Sequence, residues 1–312
     1  MTTLLLDGDL LAYRLAASLE TKWVNYEGVV FKTATLAKAW CVDNDKTYNP
    51  LLLTKHSSVD DEWQVDAKSH LDWRSNSWKY WAKPTDIQMV LGVGDSFRLD
   101  VARMMEYKGN RDGNKPKLLN QVRQWLSEQY NTHYSYNGDE GDDLLVKMAI
   151  ANKYTIVSAD KDFWGCPVNV LHLDAVAKPV NCNVFGSIYS TSTGVKGVGR
   201  KFFYHQLLFG DASDNYKPFK LSTTVSKFGE KSVLKYLSAC NDDQKCVDAI
   251  VAKYKEAYPT QFTFTDWQGI EQTYTWEDCL QEIIDCVYMR RFDGDRLTLD
   301  SFLKLEHITR GL

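Results

Sequence analysis

The sequence predicts an α/β fold: a mostly parallel central sheet flanked by helices, then a mainly helical C-terminal portion. Three observations predict it. Short apolar runs alternate with stretches of helical periodicity over the first half, as βα units do. Several of those runs stop at an aspartate, at Asp7, Asp95 and Asp160. From Phe202 onward the apolar spacing is helical.

Thr3 to Leu6 reads as a buried strand ending at Asp7, with a helix from Asp9 to about Leu19 and Asp9 as its candidate N-cap. Residues 20 to 84 are irregular and carry Trp63, Trp73, Trp78 and Trp81. They allow helices near Thr33–Trp40 and Asp72–Trp81. The tryptophans suit a packed helical subdomain better than base stacking. Ile87 to Leu91 is a second strand, ending in Gly92-Val93-Gly94-Asp95. A polar basic stretch follows, then a helix from Lys117 to Tyr130, a strand at Thr132–Tyr136 and a helix at Asp142–Ala151. Thr155 to Val157 is a fourth strand, running into Ser158-Ala159-Asp160-Lys161-Asp162. Residues 168 to 195 read as strand-rich. Helices are expected at Phe202–Leu208, Lys231–Leu237, Lys245–Tyr254 and Trp276–Arg290. The expected division is a core over 1–205, with the Trp-rich insert at about 20–84 and a gateway at about 96–130, and a helical portion over 206–312.

Composition narrows the function. The 312 residues carry 37 Lys+Arg against 41 Asp+Glu, a net charge of −4, with 44% hydrophobic residues. That is enough apolar material for a core and excludes a polycationic coat protein. No apolar run reaches a membrane span, and the N-terminal residues lack the pattern of a secretory signal. Seven scattered cysteines form no close zinc-type pair and suit reduced thiols, so a cytoplasmic location is expected.

The carboxylates carry the functional reading. Asp7, Asp95 and the Asp160/Asp162 pair follow predicted strands, and the carboxyl ends of strands in open α/β sheets open onto one crevice. Glu140, Asp142 and Asp143 sit where strand gives way to helix, and Asp211 and Asp214 are spaced i,i+3. One such aspartate is an ordinary turn former or cap. Nine acids converging on one place would repel unless hard cations joined them. Oxygen ligands select Mg²⁺ or Mn²⁺, and this many carboxylates suggest two or more ions. Such a pair clamps the oxygens of a phosphodiester. Beside them, residues 98–123 hold seven basic residues against Asp100, Glu106 and Asp112. Arg98, Arg103, Tyr107, Lys108, Arg111, Lys115 and Lys117 are the candidate nucleic-acid contacts, Tyr107 by stacking.

The strings LLLDGD (4–9), VLGVGD (90–95), EYKGNR (106–111), GDEGDD (138–143), VSADKDF (157–163) and LLFGDASDN (207–215), in that order, resemble the 5′-nuclease superfamily, most of all phage 5′→3′ exonucleases. The resemblance implies a PIN-like core and metal-dependent 5′→3′ exonuclease or flap-endonuclease activity. It implies Mg²⁺ or Mn²⁺ cofactors and DNA with a 5′ end, flap or nick as partner, with RNA–DNA hybrid as a further substrate. It places Asp7, Asp95, Glu140, Asp142 and Asp160 at a first metal site, Asp143 at or between the sites, and Asp162, Asp211 and Asp214 at a second. Tyr107, Lys108 and Arg111 match its catalytic basic motif at the scissile phosphate, followed by a helical arch. A monomer serving phage replication, recombination, host-DNA degradation and RNA-primer removal is the corresponding expectation.

The chain departs from that family after Asp214-Asn215, where the usual Gly-x-Gly hairpin is missing. A Gly197-Val198-Gly199-Arg200-Lys201 string lies upstream instead, and reads as an ordinary turn or a backbone phosphate cradle. Two rival readings stay open: a PIN-like ribonuclease, and a non-catalytic DNA-structure binder in replication. Setting the nine candidate ligands aside leaves 32 acids against 37 basic residues. The remaining chain is therefore net positive, and the acidity belongs to the candidate site.

Overall fold

The computed structural model describes residues 2–94, 96–111, 113–225 and 227–312. In chain order the elements are β1 (Thr3–Asp7), α1 (Gly8–Ser18), β2 (Thr21–Tyr26), β3 (Val29–Phe31), α2 (Ala34–Asp43), β4 (Leu53–Ser58), α3 (Trp63–Ala82), β5 (Asp86–Leu91), α4 (Arg98–Val101), α5 (Leu119–Gln129), β6 (Asn131–Tyr134), α6 (Gly141–Asn152) and β7 (Thr155–Ser158). Then come β8 (Asn169–His172), β9 (Val180–Asn181), β10 (Ser187–Thr191), β11 (Gly194–Val198), α7 (Arg200–Phe209), α8 (Glu230–Ser238), α9 (Asp243–Ala257), β12 (Phe262–Thr265), β13 (Glu271–Tyr274), α10 (Trp276–Val287) and α11 (Leu299–Leu303).

The central sheet has the order β6-β5-β1-β7-β8-β9, parallel except for β9. β1 is central because Leu4, Leu5 and Leu6 are fully buried and pack on both faces. Leu4 and Leu6 point to the layer of α1, α3 and α5, and Leu5 points to the layer of α6. The chain runs from β1 outward through β5 and β6, then returns to β1's other side at β7. That reversal opens a crevice beyond the carboxyl ends of β1, β5 and β7. Gly8 permits the tight exit of β1, since a Cβ there would lie 2.5 Å from the Val90 carbonyl oxygen.

The α/β class is as predicted, and four expectations need correction. Residues 20–58 are not merely irregular: β3-β2-β4 form a small antiparallel sheet, covered by α2 around Tyr26, Ala37 and Cys41. The third expected strand is shorter, β6. Phe262–Thr265 and Glu271–Tyr274 pair as a hairpin inside the portion expected to be helical. Among the described residues the arch expected over 96–130 is not continuous helix. Among the described residues α4 and α5 are helical there, and 102–118 is turns and extended chain.

The Trp-rich stretch is the single 20-residue helix α3. Trp78 is fully buried and donates Nε1–H to the Leu173 carbonyl at 3.0 Å, while Trp63 meets Trp125 edge-on at 6.3 Å. Trp73 remains on the surface, 65% exposed. The Gly197–Lys201 string closes β11 and starts α7. Its Gly199, Arg200 and Lys201 N–H groups donate to the carbonyls of Trp164, Val184 and Phe185, so it is a structural turn and not a phosphate cradle. All seven cysteines are free thiols. No helix of the described residues is long and apolar enough to cross a membrane.

Candidate active site

The crevice gathers the acids that the sequence singled out, apart from Asp95, which lies outside the described residues. Asp7 ends β1 and, in place of Asp9, caps α1 by accepting the Leu10 N–H at 3.0 Å. Its other oxygen accepts from Ser158 Oγ at 2.6 Å, which ties the ends of β1 and β7 together. Ser158 also accepts the Asp160 N–H at 2.9 Å, and Asp160 accepts the Asp162 N–H at 2.9 Å. A chain of short polar links thus ties the carboxylates of Asp7 and Asp160 and the backbone of Asp162 together across two strand ends. Asp9 instead reaches β5, accepting from Gly92 N–H at 2.8 Å and pairing with Arg123.

Asp162, Asp211 and Asp214 each offer an oxygen within 4.8 Å of the others. Asp211 and Asp214 come from a turn closed by a bridge between Asp211 and Tyr216. Asp211 Oδ2 is buried and accepts no directed hydrogen bond, although Lys161 Nζ pairs with it at 2.6 Å. Gln206 donates to Asp162 at 2.5 Å. Clustered hard oxygens from three carboxylates, one of them paired with Lys161, are the kind of donor set that could hold a divalent cation.

Electrostatics show the strain of this arrangement. Burial pushes Asp7 up to about 7, against the opposing hydrogen bonds from Ser158 and Leu10. Burial, then the charges of Asp7, Asp160 and Glu140, raise Asp142 well above the ordinary carboxylate range. Burial and Asp160 do the same to Asp162. Asp160 is raised chiefly by burial. Burial alone would also raise Glu140 and Asp211, but cations overrule it. Arg98 and Lys108 bring Glu140 below its ordinary value, and Lys161 with Ser213 does so for Asp211. A cation added among the raised acids would relieve them.

The basic motif divides. Lys108 Nζ sits 2.5 Å from Glu140 and Arg111 donates to Asp214 at 2.7 Å, with most of the Arg111 side chain still open to solvent. Tyr107 is 3% exposed, so it is not placed to stack on a base. Its Oη lies 3.2 Å from Glu140 and 3.1 Å from Asp214, one proton between two carboxylates. Arg103 turns to the β12–β13 hairpin, donating to Gln268 at 2.7 Å. Lys115 and Lys117 lie on the exposed loop, and Lys117 donates to the Ser57 carbonyl of β4.

Arg98 and Asp143 are displaced from their expected roles for one reason: they satisfy each other. Arg98 is 2% exposed, too enclosed to contact a nucleic acid. Its guanidinium donates to Asp143 at 2.8 and 2.9 Å, to Glu140 at 3.3 Å, and to the Cys286 and Tyr288 carbonyls at 3.0 and 2.9 Å. That uses all five N–H groups. Asp143 also accepts the Glu140 and Arg290 backbone N–H groups, so four donors fill its oxygens and leave none for a metal. Lys161, Ser158, Gln206 and Arg290 are the site neighbours that sequence reasoning missed. Lys161 was visible between two candidate ligands, whereas Arg290 lies far along the chain with no local signal.

The fold and site define an α/β protein with an acidic centre at the carboxyl ends of parallel strands, rimmed by lysine and arginine. No protein-family model matches the chain, and no curated protein matches it. Among solved structures it is similar to a T5 protein co-crystallised with metal ions, 15% identical over 99% of this chain and 100% of that one, with a TM-score of 0.46. A bacteriophage T5 flap endonuclease in a pseudo-enzyme–product complex with DNA and metal ions has the same identity, 15%, the same coverage and a TM-score of 0.46. A T5 5′-exonuclease variant is 13% identical over 98% and 99% of the two chains, with a TM-score of 0.43. These are likenesses of chain path, and function has to be carried by the side chains already described.

Proposed function

We propose that this chain is a divalent-metal-dependent nuclease that hydrolyses DNA phosphodiesters near 5′ termini, as a 5′→3′ exonuclease or structure-specific flap endonuclease. The observation that carries the reading is the Asp162, Asp211 and Asp214 cluster. It stands beside a second acid group, Asp7, Glu140, Asp142 and Asp160, with Lys108 and Arg111 on the rim. The first group would hold one ion and the second group another, Mg²⁺ or Mn²⁺ by the hardness of their oxygens. Bound there, such ions supply an activated water and charge neutralisation at the phosphodiester.

The chain's own residues do the rest. Lys108 and Arg111 each present cationic N–H groups beside the acids and would bind non-bridging phosphate oxygens. Tyr107 holds Glu140 and Asp214 at a fixed separation. Ser158 fixes Asp7 relative to Asp160. The exposed Lys115 and Lys117 extend the positive track along the strand. DNA is the proposed partner, and phage-type replication and primer removal the proposed setting.

The test is product analysis on 5′-labelled flap, nicked and blunt duplexes, with RNA–DNA hybrid and RNA alongside, with and without Mg²⁺. Cleavage is expected near the 5′ end, with loss of several orders of magnitude in Asp160→Ala at unchanged melting behaviour. Equal turnover by Asp160→Ala sinks the reading. A preference for RNA would move it to a ribonuclease, and metal-independent binding without cleavage to a structure binder.

A further inference from the structure

We infer that the cavity between the end of α7 and the start of α8 takes one unpaired nucleobase of the substrate strand, with Lys217 and Lys227 on the adjoining phosphates. The inference rests on the nuclease reading and adds a single-strand contact to it. The cavity holds about 270 Å³, and Phe209, Phe219, Phe228 and Pro218 form its walls. Phe209 is an exposed aromatic ring at the C-terminal end of α7, with the His205 ring 5.6 Å behind it. Phe228 is held edge-on by Phe219 at 5.9 Å and by Tyr236 at 5.5 Å. Lys253 Nζ already sits 4.8 Å from the Phe228 ring centroid, so Phe209, backed by His205, is the ring left open to stack on a planar base.

Charge selects the occupant. Lys217 and Lys227 are exposed and line the cavity, and among the described residues neither has an acidic partner. Lys108, Arg111 and Lys161 in the acidic crevice are all paired. An aromatic cavity edged by uncommitted lysines suits a base joined to phosphates, and suits an apolar peptide less. The base must be unpaired, because a base within a duplex presents its faces to its stacked neighbours.

Position links the cavity to the chemistry. Phe209 and Lys217 flank the turn that carries Asp211 and Asp214, and the Asp211–Tyr216 bridge closes that turn. Gly210 makes it tight: φ is +85°, and a Cβ would lie 2.4 Å from the Tyr216 carbonyl oxygen. A strand seated in the cavity is therefore registered against the acids by a short, closed segment.

The experiment is titration of single-stranded and blunt duplex oligonucleotides carrying 2-aminopurine, read by fluorescence and anisotropy in EDTA, with wild type, Phe209→Ala and the double variant Lys217→Glu/Lys227→Glu. Circular dichroism melts confirm folding; Phe209 is exposed, so its truncation leaves the core intact. Wild type should quench the probe on single strands. Phe209→Ala should lose the quench and bind single strands on the order of tenfold more weakly, with duplex affinity unchanged. The lysine variant should weaken binding and flatten its salt dependence. Unchanged quench and affinity in both variants, with a wild type that cleaves DNA in Mg²⁺, overturns the cavity assignment and leaves the nuclease reading standing. A wild type that neither cleaves nor binds removes both.

Discussion

Arg98 shows how a single side chain decides what its neighbours can do. A buried guanidinium with five satisfied donors is inert toward ligand, but it fixes Asp143, Glu140 and the 286–290 segment in one arrangement. Replacing it with Leu strands the Asp143 carboxylate in the interior, which costs about 3–5 kcal/mol. Arg98→Lys keeps the charge and loses the bidentate geometry. Both variants should melt lower than wild type in chemical denaturation, Leu more than Lys, and Lys should need more Mg²⁺ for half-maximal activity. His307 gives the pH counterpart. Burial, then Arg291, lowers it to about 3, with Arg200 also lowering it and Asp243 opposing, while its Nε2 meets Tyr204 Oη at 2.7 Å. The unfolded chain binds that proton near pH 6.5 and the folded chain does not. Stability should therefore fall as pH drops from about 6.5 toward 3, by roughly 1.4 kcal/mol per pH unit for this histidine. Urea midpoints of wild type and His307→Gln across pH 4–8 measure it, and the variant should show the shallower slope.

At the scale of elements, burial on both faces made some of the fold legible and its absence hid the rest. Leu4–Leu6 and Ile156-Val157 are apolar runs because both of their faces are covered, so the core strands stand out. β2 buries only Val24 and Tyr26, and its exposed Thr21 and Lys22 and half-buried Asn25 mask any alternation. Phe262-Thr263-Phe264-Thr265 does alternate, with Gly269 in the following turn, so the β12–β13 hairpin is legible in the sequence. In the site, the acids at strand ends were visible because the sheet aligns them. The Arg98–Asp143 lock was not, because it depends on carbonyls contributed by the distant Cys286 and Tyr288. α3 yields a prediction of its own. Trp78 anchors it through full burial and the bond to Leu173, so Trp78→Ala should cost about 3–5 kcal/mol in equilibrium unfolding. Trp73→Ala on the exposed side should change stability by less than about 0.5 kcal/mol.

For the whole molecule, the distribution of charge matters more than its sum. A net charge of −4 conceals one acidic crevice in an otherwise mildly basic chain. Within that crevice burial and mutual repulsion hold Asp7, Asp142, Asp160 and Asp162 above their ordinary range. Folding therefore brings together carboxylates that disfavour the metal-free state at neutral pH, and any cation that binds the folded site and not the unfolded chain stabilises it by mass action. Thermal melts at pH 7.5 should rise when millimolar Mg²⁺ or Mn²⁺ replaces EDTA, by several degrees if the cation reaches about a hundred times its dissociation constant. Equal ionic strength from NaCl should not reproduce the shift, because screening acts weakly on buried charges. Asp162→Asn and Asp142→Asn remove one repelling charge each. They should melt higher than wild type in EDTA and gain less from Mn²⁺, a crossing of the two curves that a purely structural acidic cluster would not produce.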